Sequence, residues 1–546
     1  MWSDVYANRD ISMKTEPAKV AAADSKRAHP LLRCWHAVLA GGVLLAGLSG
    51  CALPSLEGRS QSIALPKEQA EQTALGRAIV PLAQAHPGLS GIYPLYDPYN
   101  AYAARALLAT AAQKTLDVQY YIWRGDTTGM LMLGTLFSAA ERGVRVRLLI
   151  DDNGITGLDN TLAALNAHPN IEVRLFNPFV LRWPKPLGYL TDFSRLNRRM
   201  HNKSFTVDNQ ATIIGGRNVG DEYFGATQDV LFADLDVLAI GEVVEDVSRD
   251  FDRYWASQSS YPVDRLVSVD GSRALQTFQR ELAVAERQPR ATGYRAVLMG
   301  SELVGSLMRG ELDFQWARTI MVSDDPAKGL GEVKPEQLLV WQLDRLLGEP
   351  KNQVDLVSSY FVPTRAGVDS FQKLMGRPGM KVRVLTNSLA ATDVAAVHAG
   401  YAKRRRALLE AGVELWELRP TDDKPTRHGS GPFGSSGSAL HAKTFAIDQE
   451  RLFVGSFNFD PRSVNLNTEL GFIIESPVLA KELSQAFDNS IPYRSYRVEL
   501  DEQGELVWIQ RNEDGSQRVF HQEPEAGFWR RLNVGVMSVL PIEWLL

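Results

Sequence analysis

Two histidines and two lysines, set in one short pattern that occurs twice, define the chemistry open to this chain. The first copy is His201-Asn202-Lys203-Ser204-Phe205-Thr206-Val207-Asp208, continuing to Gly215-Gly216-Arg217-Asn218. The second is His441-Ala442-Lys443-Thr444-Phe445-Ala446-Ile447-Asp448, continuing to Gly455-Ser456-Phe457-Asn458. Both read H-x-K-x4-D-x6-G-[GS]-x-N. Phosphodiester cleavage needs a nucleophile, a proton for the leaving oxygen, and positive charge on the phosphoryl oxygens. Two imidazoles can supply the first and second. An unperturbed imidazole titrates near pH ~6.5, so both protonation states are within reach. Each lysine offers a point charge, and each asparagine an amide donor.

The spacing suits a strand. Residues two apart share a face, so His and Lys point together and the residue between them points to the core. The Gly215-Gly216 and Gly455-Ser456 pairs are expected to let the following segment approach the phosphate. Each imidazole also needs an acceptor to hold its ring. Glu469 lies eight residues before Pro477, and Asp234 eight before Glu242, with an apolar strand between in both cases. That register selects Asp234 over Asp236, with Asp236 as the alternative. The candidate catalytic set is His201, Lys203, Asp208, Asn218, Asp234, His441, Lys443, Asp448, Asn458 and Glu469. Within it, Asp208 and Asp448 end their strands and are expected to bind backbone or a charge partner. Gly215, Gly216, Gly455 and Ser456 are the expected substrate contacts. The other seven histidines have no comparable surroundings. No metal or cofactor is implied, because no His/Cys/Asp cluster has ligand spacing and the lysines carry the positive charge.

The elements that position these residues come in a repeated order. From residue 101 the pattern is α/β: helix over 102–113, strand 116–122, helix 130–142, strand 144–150, helix 158–167 and strand 171–176, then a proline-bearing loop into the first motif. The order returns with strands at 354–359, 380–385 and 413–418. Four landmark pairs (Asp117/Asp355, Val146/Val384, Pro178/Pro420, His201/His441) share an offset of about 240 residues, a period that means two large homologous domains. Residues 259–335 read as helix and loop joining the halves. Residues 421–438, rich in Gly, Ser and Pro, read as a loop where a lid would sit. A hairpin is expected at 506–509 and 517–520. The apolar stretch 528–546 is expected to cover core rather than touch lipid.

At 546 residues the chain can bury two or more cores. Its net charge of −5 supplies no global basic footprint, which argues against nucleic acid as partner. Basic residues cluster locally at Arg195, Arg198 and Arg199 and at Lys403-Arg404-Arg405-Arg406, as solvated faces or anionic contacts. The two cysteines, Cys34 and Cys51, exclude a disulfide framework in the body. Residues 1–50 read as a basic n-region and a short apolar h-region. They end Leu48-Ser49-Gly50-Cys51, which resembles the bacterial lipobox. That resemblance implies a cleaved chain lipidated at Cys51 and a body held on the periplasmic side of the inner or outer membrane. An uncleaved anchor is the alternative.

The doubled motif resembles the phospholipase D superfamily. Residues 117–152 (DVQYYIWRGDTTGMLMLGTLFSAAERGVRVRLLIDD) and 189–225 (YLTDFSRLNRRMHNKSFTVDNQATIIGGRNVGDEYFG), with Leu540-Pro541-Ile542-Glu543, are similar to the bacterial cardiolipin synthase C group. The resemblance implies an α/β fold of two homologous phospholipase D-like domains, each a mixed sheet flanked by helices, forming a pseudo-two-fold pair. It implies a phosphohistidine on His201, with His441 as acid and then base, and ring-orienting roles for Asp234 and Glu469. The implied partners are phospholipids at a bacterial membrane: phosphatidylglycerol as acceptor, with phosphatidylethanolamine or a second phosphatidylglycerol as donor. One chain holds both motifs, so a monomer suffices. The expected organisation is 1–50 signal, 51–98 tether, 99–270 first domain, 271–335 connection, 336–500 second domain and 501–546 hairpin and tail. A phosphatidate-forming hydrolase, a periplasmic nuclease or phosphodiesterase, and a non-catalytic binding protein are the competing readings.

Overall fold

The computed structural model describes residues 52–224, 234–420 and 440–546. The signal-like residues 1–50, Cys51 and the candidate lid 421–438 lie outside the described residues.

The first half carries β1 (Ser90–Leu95), β2 (Thr115–Tyr120), β3 (Arg145–Asp151), β4 (Ile171–Phe176), β5 (Ser204–Val207), β6 (Ala211–Gly215), β7 (Asp236–Gly241) and β8 (Ser260–Pro262). The second carries β9 (Gln315–Ser323), β10 (Gln353–Ser358), β11 (Lys381–Asn387), β12 (Glu414–Leu418), β13 (Lys443–Ile447), β14 (Arg451–Gly455), β15 (Leu470–Glu475), β16 (Ser495–Leu500), β17 (Leu506–Arg511) and β18 (Gln517–Phe520). In the first half β2, β3 and β4 pair in parallel, while β5, β6 and β7 continue antiparallel from β2. In the second, β10, β11 and β12 are parallel and β13, β14 and β15 continue antiparallel. The fold is α/β: two mixed sheets flanked by helices. The parallel strands are buried on both faces, hence their near-continuous apolar runs.

The two sheets meet through β1 and β9. β1 pairs with β7 and β9 with β15, both antiparallel, and β1 and β9 pair antiparallel with each other. Residues 90–95, expected within a tether, and 315–323, expected within a connection, are thus equivalent inner strands on either side of a pseudo-two-fold axis. Gly91 and Pro94 hide β1 from a strand reading, since both residues weaken strand propensity. More of the supposed tether packs on the body, where the helix Ala74–Ala85 buries Leu75 and Ile79. An apolar cluster containing Ile92, Ile214 and Val237 from the first half and Val357, Leu470 and Phe472 from the second makes one core across the axis.

Register corrects one sequence landmark. Leu116 faces Val146 and Val354 faces Val382, so Val146 corresponds to Val382 rather than Val384. The same register puts Arg147 opposite Asp117 and Arg383 opposite Asp355. Both buried pairs close, at 2.7 and 2.5 Å. Each guanidinium also holds a second acid, Arg147 with Asp252 at 2.7 Å and Arg383 with Asp488 at 2.6 Å, so both pairs belong to small networks.

Two further expectations change. The basic clusters are largely consumed inside the protein: Arg199 is buried against Asp151, and Arg405 against Glu417 and Glu523, while Lys403 and Arg404 pair Glu543. The stretch 528–546 is not mainly core. Its helix Phe528–Ser538 buries Val534 alone and leaves Trp529 77% exposed. No helix among the described residues is long and apolar enough to cross a membrane.

Candidate active site

The first motif begins just before β5 and the second just before β13, each on a strand beside the inner parallel strand of its sheet. The alternation of a strand sends Lys203 and Lys443 to the face shared by their histidines. Each Nζ reaches the carbonyl oxygen of its own histidine, at 2.5 Å for Lys203 and closer still for Lys443. At the far end of each strand the aspartate does a different job. Asp208 accepts from the backbone N–H of Gln113, Lys114 and Thr115 at 2.7–2.9 Å, and Asp448 from those of Lys351, Asn352 and Gln353 at 2.7–3.1 Å. Both adopt positive φ, +51° and +54°, to turn the chain into the next strand.

The orienting carboxylates cross over. His201 Nδ1 lies 2.7 Å from Glu469 Oε2, and His441 Nδ1 lies 2.6 Å from Asp234 Oδ2. Each imidazole is held by the opposite half. For His201 the backbone explains this: His201 N–H donates to Thr468 O at 2.8 Å, and Thr468 N–H to Arg199 O at 2.9 Å, laying the motif alongside the residue that precedes Glu469. The alternative Asp236 is elsewhere engaged, 2.8 Å from Arg105 and 3.4 Å from Arg217.

The Gly-[Gly/Ser] pairs serve the carboxylates. A Cβ on Gly216 would fall 2.1 Å from Asp234 Oδ1, so only glycine leaves that carboxylate its place. Gly215, at φ +156°, sits so close to Asp236 that a Cβ would meet its Oδ1 at 2.2 Å. A Cβ on Gly455 would meet Leu470 O at 2.4 Å. Ser456 Oγ donates to Glu469 Oε2 at 2.5 Å. These four positions were expected against substrate; the contacts here are with Asp234, Asp236, Leu470 and Glu469. Asn218 Oδ1 accepts from Ile122 N–H at 3.1 Å, and its Nδ2 is buried with no partner among the described residues. Asn458 Oδ1 accepts from Ser359 Oγ at 3.0 Å.

Burial sets the electrostatics. It lowers the His201 pKa well below the usual value, and the positive charges of Lys203, Lys443 and His441 lower it further, which also places all four groups in one site. Burial, then Lys443, brings His441 down to about 4 against the pull of Asp234. Burial likewise lowers Lys203 to about 7 and Lys443 to about 8. Glu469 is pushed up by burial to about 7 despite Lys203 and Ser456. Burial opposes ionisation of Asp234 too, but His441 and Arg217 outweigh it and hold that carboxyl at about 2. Two buried lysines with depressed pKa values are a setting in which a bound anion would favour the charged ammonium forms.

Several contributors were invisible to motif reading. The Tyr121 ring packs edge-on to His201 with centroids 5.0 Å apart, and Tyr223 to His441 at 5.3 Å. Tyr121 immediately follows β2, at the strand-end position where α/β sheets expose ligand-binding residues. Asp324 accepts from Glu469 N–H at 2.9 Å while Lys328 Nζ donates to the same carboxylate oxygen at 2.9 Å, fixing the backbone behind Glu469.

Comparison with known proteins places the chain among phospholipase D-like proteins. A family model described as cardiolipin synthase, phospholipase D-like domain, matches twice, over residues 107–255 and 343–491. Cardiolipin synthase C of Escherichia coli is 50% identical over 474 residues, covering 86% of this chain and 99% of that protein. A cardiolipin synthase of Staphylococcus aureus is 26% identical over 400 residues, 73% of this chain and 67% of that protein. Among solved structures, phosphatidylserine synthase of Haemophilus influenzae superposes with a TM-score of 0.50 at 12% identity, covering 86% of this chain and all of that one. At that identity the likeness speaks for the fold alone.

Proposed function

The chain belongs to the phospholipase D-like family, and from that premise we propose that it is a membrane-associated phosphatidyltransferase that forms cardiolipin. The observation that carries this reading is the pair of complete motifs brought into one buried site, each imidazole held at Nδ1 by a carboxylate of the other half. With Nδ1 engaged, Nε2 is the nitrogen left to meet a substrate.

In the first step His201 Nε2 attacks the phosphorus of a phosphatidyl donor. The bond to the leaving alcohol breaks, and His441 supplies the proton that this oxygen takes. The product is a phosphatidyl group on His201. In the second step His441 removes the proton from a hydroxyl of phosphatidylglycerol. The resulting oxygen attacks phosphorus, the P–N bond breaks, and cardiolipin leaves with His201 restored. Lys203, Lys443 and the Asn218 and Asn458 amides carry charge on the non-bridging oxygens. The depressed His201 pKa favours this assignment, since a nucleophilic imidazole must be neutral. The phosphodiester anion itself raises the His441 and Lys pKa values on binding, so the acid is formed when substrate is present. Exclusion of water from the buried site favours an alcohol as acceptor. The donor is phosphatidylethanolamine or a second phosphatidylglycerol.

The test is lipid analysis of bacteria lacking their own cardiolipin synthases, expressing the full chain or His201→Ala, with and without phosphatidylethanolamine in the cell. Cardiolipin from the wild type and not from the variant is expected, and its dependence on phosphatidylethanolamine names the donor. Phosphatidate without cardiolipin would make water the acceptor and overturn the transferase reading.

A further inference from the structure

Among the described residues, two exposed apolar segments stand beside the site with their outer faces uncovered. The first is residues 181–193, the run that leads into His201. It places Trp183 86% and Leu190 83% exposed. The second is the helix Phe528–Ser538 with the residues after it, where Trp529 and Val539 are 77% and 80% exposed and Leu532 and Val536 point outward with them. Large apolar side chains gathered in this way mark an interaction surface rather than ordinary solvent exposure.

Hydrogen bonds tie both segments to the site and to each other. Tyr189 Oη lies 3.4 Å from Asn153 Oδ1, and Asn153 also engages Tyr121, whose ring covers His201. Arg462 joins the segments: its guanidinium donates to Asn197 Oδ1 at 2.9 Å, to Asn197 O at 2.7 Å and to Leu545 O at 3.3 Å, and its backbone N–H to Leu546 O at 2.7 Å. At the other end of the tail, Arg530 donates to Thr392 O. The neighbouring Asp393 accepts from Tyr360 Oη at 3.0 Å and acts electrostatically on Lys443. The segments therefore flank the approach to both motifs.

The tail helix carries positive charge at its base. Arg531 donates to Ala526 O at 2.6 Å and Arg530 to Thr392 O, neutral acceptors that leave positive charge at the base of an apolar helix face. In residues 178–198, Arg182 and Lys185 are paired with Asp152 and Asp159, and Arg195 with Asp192, so this segment contributes its exposed apolar side chains rather than free charge. An apolar helix face with arginines at its base is the pattern of a helix lying in the headgroup boundary of an anionic bilayer, with aromatic rings at the interface.

We propose that residues 181–193 and the helix Phe528–Ser538 form one docking face that seats the site on an anionic phospholipid bilayer. Docking there delivers the headgroup phosphate to the motifs while the acyl chains stay in the membrane. The proposal rests on the phospholipid reading of the site.

The experiment uses the full chain with vesicles of phosphatidylglycerol and phosphatidylethanolamine, doped with phosphatidylglycerol bearing a photoactivatable acyl chain. Crosslinked peptides are expected from residues 181–193 and 528–540. None is expected from 66–85, which lie beside Asn209 at the far end of the first motif strand (Asn209 Nδ2 donates to Leu65 O at 2.9 Å). Crosslinks confined to other surfaces, or to residues 1–51, would overturn the proposal. So would a dimer that buries Trp529 and persists when vesicles are added. Trp529→Ser/Val536→Ser and Trp183→Ser/Leu190→Ser should each lower turnover of vesicular lipid at least tenfold, since withdrawing one large apolar side chain from lipid is worth about tenfold in partition. Both should leave turnover of short-chain phosphatidylglycerol, monomeric in solution, within about twofold of the wild type. Equal losses on both substrates would overturn docking as the cause. If the wild type turns over neither lipid, the transferase reading fails, and the crosslinks decide the docking face independently.

Discussion

The two halves present the same dyad in different electrostatic settings. His441 first, and then Arg217, hold the Asp234 carboxyl at about 2; Arg217, the third residue of the Gly-Gly-Arg-Asn tail, also donates to Asp234 O at 2.9 Å. Among the described residues no arginine pairs with Glu469. The position matching Arg217 is Phe457, buried in the apolar core of the second half. Ser456, where the first half has Gly216, donates to Glu469 instead, and burial takes that carboxyl to about 7. A firmly ionised Asp234 suits an imidazole that must accept and release a proton. A weakly ionised Glu469 suits one that must remain neutral and attack. Near-symmetry of sequence thus leaves room for a division of labour, set by what surrounds each carboxylate.

The largest effect that could break this comparison is at the histidines. His201→Ala should lower turnover at least about 10³-fold on any substrate. His441→Ala should do so with a natural alcohol leaving group but recover most activity on a phosphodiester with a nitrophenol leaving group, which departs without a proton. Steady-state rates on the two substrates check this, and recovery in His201→Ala instead would exchange the roles.

Next comes the carboxylate pair. Asp234→Asn and Gly216→Ala should each cost about 10²-fold or more in kcat, the first by releasing the His441 tautomer, the second by driving a Cβ into Asp234. Glu469→Gln should cost clearly less, because its side chain is protonated for part of the time near neutral pH. Equal losses in Asp234→Asn and Glu469→Gln would remove the asymmetry.

Stability sharpens the same point with opposite signs. The folded pKa of Asp234 is depressed, so its contribution is present above the unfolded value near 4 and lost as pH falls toward about 2. Asp234→Asn should therefore lose stability relative to the wild type as pH rises from 2 to 4, and hold that deficit above. The folded pKa of Glu469 is raised, so the wild type binds an extra proton when folded and loses stability as pH rises from 4.5 to about 7. Glu469→Gln should gain relative to the wild type across that window, on the order of 3 kcal/mol. Thermal denaturation of both variants from pH 2 to 8 checks the signs.

The smallest effect is expected at Ser456. Ser456→Gly copies the first half's residue into the second and removes one donor to Glu469. The Glu469 pKa should rise further and kcat fall about tenfold, the worth of one hydrogen bond to a charged group. A pH–rate profile that does not move would separate Ser456 from the dyad.

Much of this molecule was legible in advance because local sequence carries local geometry. The H-x-K spacing puts two side chains on one strand face, apolar runs mark the buried parallel strands, and the repeated order exposes the duplication. Strands at Ile171–Phe176 and Leu506–Arg511 and the helix Thr127–Glu141 lie within a few residues of their expected bounds. β1 and β9 were hidden because their stability comes from non-local pairing, with β7 and β15 and with each other, which overrides the Gly and Pro of one and the helix-and-loop surroundings of the other. The tail 528–546 misled for a related reason: apolar composition does not say whether the partner is protein or another phase.

The sequence alone determined which groups are available for phosphoryl chemistry, that they come in two sets, and which acid of each half stands in register with the other. It did not determine who holds whom. That His201 leans on Glu469 and His441 on Asp234 follows from the bridge between residues 199–201 and Thr468 and from the core shared across β1 and β9. Nor could it set the unequal ionisation of those acids. A pKa is a property of burial and neighbouring charge, and both exist only once the two halves have closed on each other.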